Sequence, residues 1–277
     1  MKTVVLYSFQ IYLQESVYML FDLTHCLYIG ISLVITAGLL WAFSFIKEQK
    51  YKDLVLKLSG VITVILHISC MWVDFLTTGT SITPDNILFP IYFCNLMMWL
   101  LVICAFIPNK QSKGWKWVAI FTAYGGTLGA LISLFYPDYY LHTPSLANWG
   151  VLKSMLSHST MLVGCLYMFT GGYVKIRVSN LIPYCGGLVG VLVIGHVLNA
   201  LFVACGLPSP NAMFLQHSPV PDVPFFNGYG IGLLMIILLF LFTMVWEFAA
   251  CPKGERWYDK LAEMFKRLKE RTSGREQ

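Results

Sequence analysis

Seven apolar stretches, each long enough to cross a membrane, constrain this 277-residue chain more than any other feature. A helical stretch of about 20 residues spans a hydrocarbon core of about 30 Å. Charged residues make up 12% of the chain, whereas a soluble domain carries about 25%. The sequence therefore predicts an all-α polytopic membrane protein, with a seven-helix transmembrane bundle over residues 1–252. The predicted spans are residues 27–46, 54–76, 88–107, 116–136, 147–172, 180–205 and 228–251.

Basic residues fall in alternate loops, which gives each predicted span a direction. Loops rich in Lys and Arg stay on the cytoplasmic side, so the N-terminus is predicted outside and the C-terminus in the cytoplasm. Only Lys2 and Lys153 break the pattern. The net charge of +5 follows from this asymmetry and gives no sign of nucleic-acid binding. The residues that set the direction are Lys47, Lys50, Lys52 and Lys57, then Lys110, Lys113 and Lys116, then Lys175 and Arg177, and eight more from Lys253 to Arg275.

Two segments outside the spans have patterns of their own. Residues 253–277 place apolar side chains at helical spacing between Lys and Arg, which predicts a basic amphipathic helix on the anionic cytoplasmic leaflet. The sixth connection, residues 206–227, contains five prolines. It is predicted to form either a semi-rigid lid over the outer face or a disordered loop.

Nearly all polar residues that could do chemistry within the membrane lie in its outer half once the directions are assigned. Such groups are costly in hydrocarbon and usually face a bundle interior or a wet cavity. Their shared depth predicts a functional site. The set consists of His25, His67, Asp74, Cys94, Asn95, His158, His196 and Asn199.

Cys94 and His158 form the candidate catalytic pair, because their spans both descend from the outer face. A thiol at this depth needs a base to become nucleophilic, and neutral imidazole can take the thiol proton. Each residue also has a plainer interpretation. Cys94 can be a small packing residue, and His158 can be bonded to a neighbouring Ser or Thr.

Five further residues are candidates for binding substrate or stabilising an oxyanion. His196 and Asn199 are three residues apart and therefore share a helix face. Lys153 is the cation nearest the outer side, although its side chain can also simply snorkel to the interface. The sequence lacks an H-x-x-x-H pair, so no metal or other cofactor is predicted. The five candidates are Asn95, Asn199, His196, Asn211 and Lys153.

Four segments of the chain match the signature of a known family. They are Phe89-Pro90-Ile91-Tyr92-Phe93-Cys94-Asn95, Tyr124-Gly125-Gly126-Thr127-Leu128-Gly129-Ala130 with Pro137, Ser157-His158, and Asn199 with Pro210-Asn211-Ala212-Met213-Phe214-Leu215 and Pro219. These segments resemble the YwaF-type bacterial integral membrane family, whose superfamily includes the eukaryotic transmembrane protein 164 acyltransferase. Tyr92 stands where the bacterial signature usually has His, and Ala212 replaces its usual Tyr.

The resemblance implies a seven-helix bundle with a Cys/His pair open to lipid. It implies that Cys94 accepts an acyl chain from a phospholipid as a thioester and passes it to a lysophospholipid, with His158 as general base. The implied location is the cell membrane, or an organelle membrane with the site facing the lumen. The hypothesis is therefore a phospholipid acyltransferase or lipase-like enzyme. The alternatives are a small-molecule transporter or receptor, and a metal-dependent lipid hydrolase.

Overall fold

The computed structural model describes residues 21–78, 89–137, 140, 145–219 and 223–273, without the side chains of residues 74, 75, 77, 78 and 268–273. Every regular element in these ranges is helical. Short 3₁₀ turns occur at Val178–Asn180 and Ala212–Phe214. The α-helices are α1 (Leu23–Ser44), α2 (Gln49–Ile68), α3 (Cys70–Thr78), α4 (Phe93–Phe106), α5 (Lys113–Phe135), α6 (Trp149–Thr170), α7 (Leu181–Ala204), α8 (Gly228–Ala250) and α9 (Trp257–Ser273).

Five helical segments in the described ranges are long and apolar enough to cross a membrane. The helix α4 is apolar but has only 14 residues, and α6 has 22 residues and carries Lys153. The all-helical class is confirmed, whereas the count of seven spans and the direction of the termini stay predictions. The five segments are Leu23–Ser44, Gln49–Val73, Lys113–Phe135, Val178–Ala204 and Gly228–Ala250.

The third predicted span does not begin as a helix. Residues 89–92 are non-helical, and α4 starts at Phe93 after Tyr92 in an extended conformation. Pro90 has no backbone N–H and restricts the residue before it, so the chain enters the helix late. Cys94 is therefore the second residue of its helix instead of lying almost two turns inside it.

Helices α2, α4, α5 and α6 form the core of the bundle, and glycines let them approach closely. A Cβ atom built on Gly60 of α2 would lie 2.9 Å from the Cα atom of Val102 in α4. One built on Gly164 of α6 would lie 2.8 Å from a methyl group of Leu101. Small residues serve this purpose in membrane bundles, where packing replaces the hydrophobic effect between helices.

The segment after α7 folds back against the end of the bundle at which α4 and α6 begin and α5 ends, here called the Cys94 end. Ala212, Met213 and Leu215 of this segment are buried. Asn211, Met213 and Phe214 have φ angles of 50°, 56° and 55°. Non-glycine residues rarely adopt this left-handed conformation, and it persists only where the surroundings hold it. Residues 206–219, here called the lid, thus pack through residues 212–215 against α7, the start of α8 and residues 91–92; residues 220–222 lie outside the described ranges.

At the opposite end, Glu247 of α8 joins three helical elements. Its side chain is 2% exposed, and its carboxylate accepts the backbone N–H of Val178 at 2.8 Å and that of Trp257 at 2.7 Å. Val178 opens the 3₁₀ turn that leads into α7, and Trp257 is the first residue of α9. The predicted C-terminal helix is thus present as α9, while its contact with lipid stays a prediction.

Candidate active site

Cys94 lies at the start of α4 and faces α5. Its sulfur is 3.1 Å from the hydroxyl oxygen of Ser133 and 3.6 Å from the carbonyl oxygen of Gly129. The N-cap residue Tyr92 makes no side-chain hydrogen bond to the helix. The first-turn amides of α4 are therefore not capped by that side chain, and a helix N-terminus favours negative charge. The thiol sits where both a hydroxyl and a helix N-terminus can stabilise an anion.

His158 is buried in α6 and presents one nitrogen without a partner. Its Nδ1 atom is 2.7 Å from the carbonyl oxygen of Ser154. A carbonyl only accepts hydrogen bonds, so we assign the ring proton to Nδ1, which leaves a lone pair on Nε2. The Nε2 atom is buried and has no hydrogen-bond partner among the described residues. This tautomer has the arrangement of a general base that awaits a proton.

The packing of α5 against α6 relates Ser133 to His158. The two helices are antiparallel: a Cβ atom at Gly126 would overlap the sulfur of Cys165, and the rings of Tyr124 and Phe169 are 4.9 Å apart. Ser133 lies seven residues after Gly126, and His158 lies seven residues before Cys165. Seven residues make almost two turns, so a seven-residue step returns to the same helix face about 10.5 Å along. By this count Ser133 and His158 face each other at one level.

The packing of α4 against α6 gives an independent count. Leu101 contacts the position of Gly164. Cys94 lies seven residues before Leu101, and Ser157 lies seven residues before Gly164. Because both helices begin at the Cys94 end, equal steps keep their residues level. Cys94 therefore lies level with Ser157 and His158. The thiol and the imidazole are not hydrogen-bonded to each other, and of the hydroxyls at this level it is that of Ser133 that contacts the Cys94 sulfur.

His25 shows what a structural histidine looks like in this bundle. It is fully buried in α1, its Nδ1 atom accepts the backbone N–H of Phe21 at 3.1 Å, and its Nε2 atom is 2.9 Å from the carbonyl oxygen of Leu134. Both nitrogens are thus occupied, which ties the start of α1 to the end of α5. Next to it, the Tyr140 hydroxyl donates to Asp22 at 2.7 Å. Burial and the Asp22 carboxylate raise the pKa of Tyr140 to about 12.

Two of the three predicted asparagines, Asn199 and Asn211, organise residues 209–217. The Asn199 side-chain oxygen accepts the backbone N–H of Ala212 at 2.7 Å and the Ser209 hydroxyl at 3.1 Å. Asn211 accepts the backbone N–H groups of Gln216 and His217 and donates to the His217 carbonyl. Because these amides are bonded mainly to backbone groups, their observed role is to hold the lid.

The remaining predicted residues lie in different surroundings. His196 is exposed on α7 and 2.7 Å from the Tyr229 hydroxyl, so the structure does not join it to His158. Lys153 is 4% exposed, so it is buried, and it takes part in a further interaction. Asn95 and His67 are buried and take part in further interactions. The side chain of Asp74 lies outside the described residues.

Two residues that sequence reasoning missed have clear roles in the structure. Ser133 looks like an ordinary helix serine, and only the pairing of α5 with α4 brings it to the thiol. Glu247 is the one acidic residue in the seventh apolar stretch. An isolated carboxylate in an apolar segment needs polar partners, so the sequence alone could have singled it out. Among the described residues, no group of three or more His, Cys, Asp or Glu side chains could hold a metal ion.

The apolar helices and the buried polar site define a multi-pass membrane protein. The chain belongs to the TMEM164 family, whose model matches residues 20–247. The match covers Cys94, Ser133, His158 and Asn199 and ends before α9. Neither the curated proteins nor the solved structures gave a match. Membership of the family is confirmed, and the narrower YwaF-type assignment stays a prediction.

Proposed function

We propose that this chain is a membrane-embedded phospholipid acyltransferase that carries the acyl group on Cys94 as a thioester, with His158 as general base. One observation carries the proposal. The Cys94 thiol at a helix start is 3.1 Å from the Ser133 hydroxyl, and one packing count each puts Cys94 and Ser133 level with His158, a buried imidazole with an open Nε2 atom. A nucleophile, a base and anion-stabilising amides at one point are the parts that acyl transfer requires.

The proposed reaction has two half-reactions. His158 takes the proton of Cys94, the thiolate attacks the ester carbonyl carbon of a phospholipid, and the resulting oxyanion is stabilised by first-turn amides of α4. The ester C–O bond then breaks, the proton moves from His158 to the departing lysophospholipid oxygen, and a thioester remains. In the second half-reaction a lysophospholipid hydroxyl attacks the thioester while His158 takes its proton. The C–S bond then breaks, and the proton returns from His158 to the Cys94 thiolate, so both residues are regenerated. Asn95, adjacent to Cys94, is a candidate to assist the oxyanion.

The predicted topology fits a lipid substrate. Seven spans with the N-terminus outside would put Cys94 in the outer half of the membrane, where phospholipid esters lie just below the headgroups. The bundle of residues 1–252 would carry the site, and residues 253–277 would bind the anionic cytoplasmic leaflet. The site would face the outer leaflet of a cell membrane or the lumenal leaflet of an organelle. Buried Lys153 is a candidate for contact with the phosphate.

The test is intact-mass analysis of purified protein incubated with a phospholipid that carries an isotope-labelled acyl chain. We expect an adduct of one acyl chain that neutral hydroxylamine removes, that Cys94→Ala abolishes, and that Cys26→Ser leaves unchanged. Cys26 is an exposed free cysteine and therefore controls for non-specific acylation.

The product formed when lysophospholipid is added to the acylated protein distinguishes acyl transfer from hydrolysis. Added lysophospholipid should consume the adduct and yield labelled phospholipid, whereas release of free fatty acid would indicate a lipase-like enzyme. The absence of any adduct, with lipid turnover equal in wild type and Cys94→Ala, would overturn the proposal and favour a ligand-binding transporter or receptor.

A further inference from the structure

Building on the proposed function, we infer that Ser133 is a further catalytic residue, which relays the proton between Cys94 and the Nε2 atom of His158. Its hydroxyl oxygen is 3.1 Å from the sulfur that reacts. This contact is the only hydrogen bond of the Ser133 side chain among those of the described residues, although Ser and Thr hydroxyls in this bundle commonly bond their own helix backbone. Thr127 on the same helix bonds the Ala123 carbonyl in that way, at 2.7 Å.

The position of Ser133 between α4 and α6 follows from the glycine two turns below it. A Cβ atom at Gly126 would lie 3.8 Å from the Cβ atom of Met97 in α4 and would overlap Cys165 of α6. Gly126 thus faces both helices, and Ser133 shares its face. On the α4 side, the Ser133 hydroxyl contacts the Cys94 sulfur directly. On the α6 side, the seven-residue step from the Gly126–Cys165 contact gives His158.

The relay accounts for two facts together. The thiol has no direct bond to the imidazole, and the imidazole keeps a buried nitrogen without a partner. In the relay, the Cys94 thiol gives its proton to the Ser133 oxygen while the Ser133 proton passes to Nε2 of His158. The products are a thiolate and an imidazolium, and the serine is regenerated. The bond from Ser133 to His158 forms when the hydroxyl rotates toward α6, since catalytic hydrogen bonds often tighten only with substrate bound.

The test compares Ser133→Ala, Ser133→Thr and the control Thr127→Ala in full-length protein reconstituted into phospholipid vesicles. Loss of a group that takes part in proton transfer typically costs about 100-fold or more. We expect Ser133→Ala to lower the rate of Cys94 acylation about 100-fold at unchanged KM, and Ser133→Thr to restore most of it. We expect Thr127→Ala to match wild type. A solvent deuterium effect should indicate two protons in flight in wild type and fewer in Ser133→Ala.

A second measurement needs no lipid chemistry: the rate at which iodoacetamide alkylates Cys94, followed by intact mass. The alkylation rate should fall in Ser133→Ala and in His158→Asn, while the unfolding midpoints of both variants equal that of wild type. If wild type transfers acyl chains through Cys94 but Ser133→Ala changes neither rate, the relay is wrong and the proposed function stands. If wild type transfers no acyl chain but alkylation depends on Ser133 and His158, the relay stands and the acyltransferase proposal falls. An adduct on Ser133 that hydroxylamine does not remove would overturn the relay by making the serine the nucleophile.

Discussion

Met213 donates its backbone N–H to the carbonyl oxygen of Ile91 at 2.7 Å, which joins the lid directly to the segment that enters α4. The rings of Phe214 and Tyr92 lie 5.3 Å apart beside this bond. Ile91 is three residues before Cys94, so the lid contacts the chain that sets where the thiol lies. A loop between α7 and α8 thereby acts on the start of α4, far from it in sequence.

We first predict that Asn199→Ala destabilises the protein and weakens activity together. It removes the acceptor for the Ala212 N–H and the Ser209 hydroxyl and leaves a buried amide without a partner, which costs about 1–3 kcal/mol. The measurements are the unfolding midpoint in detergent and Cys94 acylation per folded molecule. Both should fall, because the lid then holds Ile91 less firmly.

Ser209→Ala is the matched control for Asn199. It removes the hydroxyl contacts with Asn199 and Gln216 and leaves the Ala212 N–H paired with Asn199, so the midpoint should move less. Equal losses in the two variants would contradict the view that the Ala212 backbone bond is the important one.

Second, substitutions of two of the buried histidines, His158 and His25, should have different effects. His158→Asn keeps a donor for the Ser154 carbonyl but removes the base, so acylation should drop about 100-fold or more with little change in the midpoint. His25→Ala removes two backbone hydrogen bonds, so it should destabilise the fold by about 1–3 kcal/mol while the folded molecules keep their acylation rate. Loss of activity in folded His25→Ala with full activity in His158→Asn would reverse the assignment.

Third, Gly60→Ala should destabilise the bundle, and Gly38→Ala should not. The added methyl group at Gly60 would meet the backbone of Val102, which cannot rotate away, and overpacking costs about 1–3 kcal/mol. Around Gly38 of α1 nothing lies within 4 Å. The unfolding midpoints of the two variants, each compared with wild type, test this. A Gly60→Ala protein as stable as wild type would mean that α2 and α4 are not packed as closely as described.

Fourth, Glu247→Gln should loosen α9. A Gln side chain keeps one acceptor oxygen, so it cannot accept both the Val178 and the Trp257 N–H groups, and the loss is about 1–3 kcal/mol. Hydrogen exchange at the start of α9 should accelerate. Glu255→Gln breaks an exposed ion pair with Arg177 and should cost less than about 1 kcal/mol. Faster exchange in Glu255→Gln than in Glu247→Gln would show that the surface pair holds the junction.

The sequence predicted the helical class, the membrane spans that are long and apolar, and the amphipathic α9. These properties follow from local composition and periodicity, which each segment carries by itself. Cys94 and His158 could be singled out as candidates, because a thiol and an imidazole stand out in apolar segments, and their catalytic roles stay a prediction. The start of α4 was predicted too early, since hydropathy does not register the extended chain that Pro90 imposes.

Only the tertiary structure decided which side chain accompanies the thiol. Ser133 acquires a role because Gly126 and Gly164 fix how far α5 and α6 slide along their neighbours, and that register is a property of pairs of helices. The same holds for Asn199, which hydrogen-bonds Ala212 and Ser209 of the lid, and for Glu247, whose two partners lie in other elements. Local sequence determines which segments enter the membrane, whereas close packing between segments determines which of their polar groups meet.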